Sequence, residues 1–161
     1  MLAALIESMP DNASGADHAS GETVALDEQL ESSLESVDSA ETSVLKVAEE
    51  AGFDEEALHK IGMAVRESMV NAVVHGNRYS ARKKVHLEVT KGPEHLTIVI
   101  RDEGEGFNFE ALPDPLSEEN LLRQSGRGLL LMQAFVDKLD VRRRESGGTE
   151  VRMVKYRTGG S

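Results

Sequence analysis

A chain of 161 residues with 39% apolar and 4% aromatic side chains is long enough for one aliphatic core and too short for two. It contains no Cys, which excludes a disulfide framework and a thiolate metal centre and fits a reducing cytoplasm. The net charge of -11 sits at the front, where fifteen acids in residues 1–60 face only Lys46 and Lys60, a balance that disfavours direct nucleic-acid binding; no apolar run approaches a membrane span.

Met1 to Ile6 is apolar but short, has no basic residue before it and runs straight into Glu7, which is not the pattern of a signal peptide. Together with the aperiodic polar stretch that follows, it reads as a flexible leader over residues 1–22, ahead of one domain over residues 23–161. Thr23 to Leu34 alternates in part, through Val24, Leu26, Leu30 and Leu34, and predicts a first strand. A helix should follow from Ser36-Val37-Asp38, capped by Ser36 or Asp38, and stop at Gly52. Beyond that tight glycine turn Asp54 caps a second helix, whose apolar stripe is Ile61, Ala64, Val65, Met69, Ala72 and Val73 and whose C-cap is Gly76.

The period then changes from helical to alternating. Val85, Leu87 and Val89 make one strand, Lys91 to Glu94 a turn, and Leu96, Ile98 and Ile100 the next, giving an antiparallel hairpin. A long polar connection, Asn108 to Ser125, precedes a third helix over Leu129 to Val136, and a loop of that length in a compact domain is more often functional than idle. Two strands, Lys138 to Arg144 and Thr149 to Tyr156, are joined at Glu145-Ser146-Gly147-Gly148. This order predicts an α+β fold, a two-layer α/β sandwich with the helices on one face of a mainly antiparallel sheet.

Three segments carry chemistry. On the second helix Glu67, Asn71 and His75 are spaced i, i+4, i+8 and should stack in one column. There Asn71 can offer a carbonyl oxygen to Mg2+ while Glu67 takes a proton from a nearby hydroxyl; the same spacing also describes an ordinary polar helix edge. Asp102 ends a strand, and Gly104 and Gly106 after it carry no side chains, so a planar ligand can lie against the backbone with its amine, such as that of adenine, on the carboxylate. A glycine-rich turn is the simpler reading of that segment alone. Ser125-Gly126-Arg127-Gly128-Leu129 leads into a helix whose free amides and dipole suit a phosphate, without the lysine and spacing of a P-loop.

In this order and at these separations the segments resemble the nucleotide-binding boxes of the gyrase, heat-shock protein, histidine-kinase and mismatch-repair ATPase superfamily, whose architecture is the Bergerat fold. Glu67 and Asn71 match the first box, Asp102, Gly104 and Gly106 the second, and Gly126, Gly128 and Leu129 the third, over roughly residues 23–156. The short chain and the form from Glu67 to Asn77 are most similar to the bacterial anti-sigma factor and serine-protein kinase family. The resemblance implies ATP and Mg2+ as cofactors, with Glu67 as general base, Asn71 as metal ligand and Asp102 as the adenine acceptor shaped by Gly104 and Gly106. It further implies phosphate contacts from the Gly126 and Gly128 amides beside Ser125 and Leu129, Arg123 or Arg127 near the terminal phosphate, and the Thr149 hydroxyl beside Asp102. Residues 108–125 would form a lid.

The same resemblance implies a sigma factor and a small anti-anti-sigma antagonist as partners, phosphorylation of a serine on that antagonist, and a homodimer. A non-catalytic module in which the nucleotide only gates partner binding is the alternative, and a structural domain with no nucleotide the third.

Overall fold

The computed structural model describes residues 21–104 and 128–157. Strand β1 (Thr23–Glu31) alternates half-buried Leu26 and Leu30 with exposed Asp27 and Gln29. The expected extension to Leu34 does not form, because Leu34 already opens helix α1 (Leu34–Glu50) and is 55% exposed. Nor is the cap Ser36 or Asp38, both of which lie inside the helix. The cap is Ser33, whose extended backbone (φ -137) aims its hydroxyl at the Ser36 amide.

Helix α1 closes as a Schellman motif. The Phe53 amide reaches the Ala48 carbonyl and the Gly52 amide that of Glu49, both at 3.1 Å, while Gly52 takes φ +95. Phe53 then packs into the core, and Asp54 caps helix α2 (Glu55–Val70) through the Ala57 amide at 2.9 Å. The predicted stripe of α2 is buried throughout.

The end of α2 differs from expectation. The helix widens into a π turn over Asn71–Gly76, closed by the Asn77 amide on the Ala72 carbonyl at 2.8 Å, so Gly76 is not the C-cap. The left-handed residues come later, at Arg78 (φ 52) and Tyr79 (φ 60).

Strands β2 (Lys84–Lys91) and β3 (His95–Arg101), helix α3 (Gly128–Phe135), and strands β4 (Lys138–Arg143) and β5 (Thr149–Tyr156) complete the described fold. The five strands form one antiparallel sheet in the order β1-β2-β3-β5-β4, so β5 is inserted between β3 and β4. Register assigns the two faces. Ile98 stands between Val89 and Met153, and Ile100 between Leu87 and Val151; these buried side chains meet α1, α2 and α3, with α3 packed against α2. The row Gln29, His86, Arg101, Glu150 and Arg142 lies on the opposite face.

That outer row is ionic. Glu150, 3% exposed, receives Arg101 Nε at 2.8 Å and Arg142 Nε at 3.1 Å. Burial alone would raise its pKa, but the Arg101 hydrogen bond, with the charges of Arg101, Arg142 and Arg152, holds it below the ordinary carboxylate value. No helix among the described residues is long and apolar enough to cross a membrane.

Candidate functional site

Asp102 follows directly on β3 and is 6% exposed. Its Oδ1 accepts from the Gly104 amide at 2.9 Å and the Thr149 amide at 3.1 Å. Its backbone is fixed as well: the Asp102 amide donates to the Thr149 carbonyl at 3.0 Å, and its carbonyl accepts from Arg144 Nη1 at 2.6 Å. Oδ2 has no donor among the described residues. Burial raises the Asp102 pKa above the ordinary value, and the two amides, Arg144 and Lys83 oppose that rise. The result is a fixed acceptor, with Oδ1 committed to two backbone amides.

Three glycines surround it for reasons of space. A Cβ at Gly76 would stand 2.5 Å from Asp102 Cγ and Oδ2, and one at Gly148 would stand 2.0 Å from the Asp102 carbonyl oxygen. A Cβ at Gly104 would meet the Gly76 carbonyl oxygen at 1.9 Å. Gly148 also has φ +98, a conformation open to glycine. Sequence reasoning expected a role for Gly104 near Asp102. It missed Gly148, and it read Gly76 as a helix cap when its function is to let the helix end touch the carboxylate.

Glu67 and Asn71 sit one turn apart on this same helix end, both half-buried. His75, four residues further on, lies in the π turn and is exposed. Asn71 Nδ2 and Ser68 Oγ are buried without a hydrogen-bond partner among the described residues. An orphaned amide of this kind marks a place where a further polar group would be accommodated.

Asn77, fully buried at the end of the π turn, locks the pocket from behind. Its Nδ2 donates to Ser32 Oγ at 2.9 Å and to the Lys84 carbonyl at 3.0 Å, and its Oδ1 accepts from the Glu103 amide at 2.7 Å. The sequence offered Asn77 only as the last residue of the helical stretch, with no sign of this bracing role.

Other expected positions are less fully placed. Thr149 meets Asp102 through its amide and carbonyl, and the contact observed is not made by its hydroxyl. Gly128 is the first residue of α3 and Leu129 the second. Gly106, Arg123, Ser125, Gly126 and Arg127, with the lid expected over 108–125, lie outside the described residues, as does most of the leader over 1–22. Among the described residues no three of His, Cys, Asp and Glu come together as a metal cage.

Several known proteins are similar to this chain. The histidine kinase-like ATPase domain describes residues 30–155. The anti-sigma F factors of Bacillus thuringiensis (strain Al Hakam) and Bacillus mycoides (strain KBAB4) are each 35% identical over 103 residues, covering 63% of this chain and 70% of theirs. The crystal structure of the RsbU and RsbW domains of Rv1364c from Mycobacterium tuberculosis has a similar fold, with a TM-score of 0.56 and 19% identity. That match covers 81% of this chain and 32% of the solved one, so this chain spans about a third of it.

Proposed function

The chain belongs to the histidine kinase-like ATPase family, in its anti-sigma factor branch, and on that premise we propose that it is an ATP-binding anti-sigma regulator that phosphorylates a serine on a small anti-anti-sigma antagonist. The observation that carries the reading is Asp102, a buried carboxylate whose Oδ2 has no donor among the described residues, in a pocket from which Gly76, Gly104 and Gly148 exclude side chains. An ATPase domain implies ATP, and these residues fit its adenine end.

When bound, ATP supplies the phosphoryl group and its Mg2+ neutralises phosphate charge. Asp102 Oδ2 accepts from the adenine amine, and the bare backbone at Gly104 and Gly106 lets the ring lie close. Asn71 would offer Mg2+ its side-chain carbonyl oxygen, leaving its Nδ2, which has no acceptor among the described residues, to donate to the bound nucleotide. Glu67, one turn earlier, takes the proton of the acceptor serine as that oxygen bonds to phosphorus and the bond to the departing nucleotide breaks. The amides around Ser125, Gly126, Gly128 and Leu129 hold the phosphates, with Arg123 or Arg127 against the terminal one. Partners are a sigma factor and the antagonist, the protein acts as a homodimer, and its place is the cytoplasm.

Transfer of label from radiolabelled ATP to a candidate antagonist, with capture of a candidate sigma factor in the same preparation, tests the reading. Wild type should label a serine, and Glu67→Ala should label it about 100-fold more slowly or worse, the usual contribution of a general base. Equal rates would remove Glu67 from that role. Capture of the sigma factor that needs Mg-ATP but comes without any transfer would leave the non-catalytic module, and failure to bind ATP would end both readings.

A further inference from the structure

The outer face of the sheet holds a second polar cavity, separate from the Asp102 carboxylate. A cleft of about 150 Å³ lies where β1, β2 and β3 meet the β4–β5 turn, lined among others by Gln29, Lys84, Arg101, Glu103, Arg144 and Ser146. In a chain of net charge -11, a wall with three cations and one acid stands out. We propose that this cleft binds one small oxyanion group, a carboxylate or a phosphate, on the guanidinium of Arg144.

The neighbouring ion pairs identify Arg144 as the anchor. Lys84 is paired with Glu31, and Arg101 with Glu88 and Glu150. His86, which also lines the cleft, is occupied: Arg101 Nη1 is 3.0 Å from its Nδ1, and Asp27 Oδ1 is 2.6 Å from its Nε2, an arrangement met by a proton on Nε2 alone. Arg144 places Nη1 on the Asp102 carbonyl and has no carboxylate within ion-pair reach among the described residues. A guanidinium whose other donors meet no acceptor among the described residues is the side chain best shaped to take two oxygens of one anion.

Size and charge narrow the ligand. Pockets for whole small molecules run to roughly 300–1,000 Å³, so this one takes a single group and not a nucleotide. The Ser146 hydroxyl and the Gln29 amide add neutral donors. Glu103, the one acid on the wall, has its Oε2 held by the Lys84 amide at 2.7 Å, which ties down part of its charge. The group that fits can come from a free ion or from an acidic side chain of another protein, and the chemistry at Arg144 is the same for both.

Nuclear magnetic resonance of the 15N-labelled full chain separates the sources. One arm adds sodium phosphate against sodium chloride at matched ionic strength; the other adds a blocked Asp- and Glu-rich peptide. Saturable shifts of the Glu103, Ser146 and Gly147 amides in at least one arm, lost in Arg144→Gln, are the expected result. Shifts no larger than those with chloride in both arms, saturable shifts that persist in Arg144→Gln, or phosphate shifts confined to Gly128 and α3 would each overturn the proposal. Should Arg144→Gln fail to fold, Arg144→Lys keeps the charge without the two-pronged geometry. It should then weaken binding severalfold, and unchanged binding would count against the site.

Discussion

At Asp102 two demands on one carboxyl group pull in opposite directions with pH. Its pKa is raised chiefly by burial, so the folded state takes up a proton more readily than the unfolded chain does. This group therefore adds stability as pH falls through its raised value, yet the protonated form no longer accepts fully from an adenine amine. Nucleotide affinity should accordingly fall on mild acidification, at a higher pH than an ordinary aspartate would allow, while Asp102→Asn should be weak and nearly flat across that range. Calorimetric titration with an ATP analogue between neutral and mildly acidic pH reads both, and the loss in the variant should be about 10- to 100-fold, the worth of one charge-assisted hydrogen bond. Gly76→Ala probes the same spot by volume. Its Cβ would lie 2.5 Å from the carboxylate, so the side chain must move, with an expected cost of about 1–3 kcal/mol in a thermal melt and a loss of nucleotide affinity.

Among the elements, those with an uninterrupted period were legible from residue order. The hairpin β2–β3 and the stripe of α2 follow from alternation and from 3.6-residue spacing, and the Gly52 turn from its glycine. What escaped had a physical cause in each case. Ser33, Ser36 and Asp38 all carry acceptors suited to a cap, and only the extended backbone at Ser33 decides among them. The π turn escaped because Ala72 and Val73 still satisfy the helical stripe while the hydrogen bonds beneath them widen. Asn77 and Gly148 escaped because their partners, Ser32, Lys84 and Glu103 for one and Asp102 for the other, are remote in the chain and meet only through strand order. Asp102 itself was legible, as a carboxylate at a strand end followed by glycines. Asn77→Ala should therefore act at a distance: with the Glu103 amide and the Lys84 carbonyl left unpaired, urea unfolding should show a loss of about 1–3 kcal/mol. The β3–α3 side of the site should also become more open to hydrogen exchange, beginning at Glu103 and Gly104.

For the molecule as a whole, the ionic row on the outer face links four strands through Arg101, Glu150 and Arg142, with His86 at its end. Because the Glu150 pKa is lowered, its contribution is present above the ordinary carboxylate range and is lost as pH falls through the lower folded value. Glu150→Gln should remove about 1–3 kcal/mol at neutral pH, because Arg101 keeps Glu88 and Arg142 is partly exposed while a charged hydrogen-bond acceptor is lost, and should flatten the acid limb of the stability curve. Denaturant melts at several pH values test both statements. The place of β5 has a further consequence, for the order in which the protein is made. Since β5 is the last of the described strands yet pairs with the central β3, the ribosome delivers Gly148 and Thr149 well after Asp102, and a slot beside β3 must stay open until they emerge. A nascent chain stalled before Thr149 would display the polar groups of α2 without a closed purine pocket, so competence for the nucleotide arrives only once β5 has emerged.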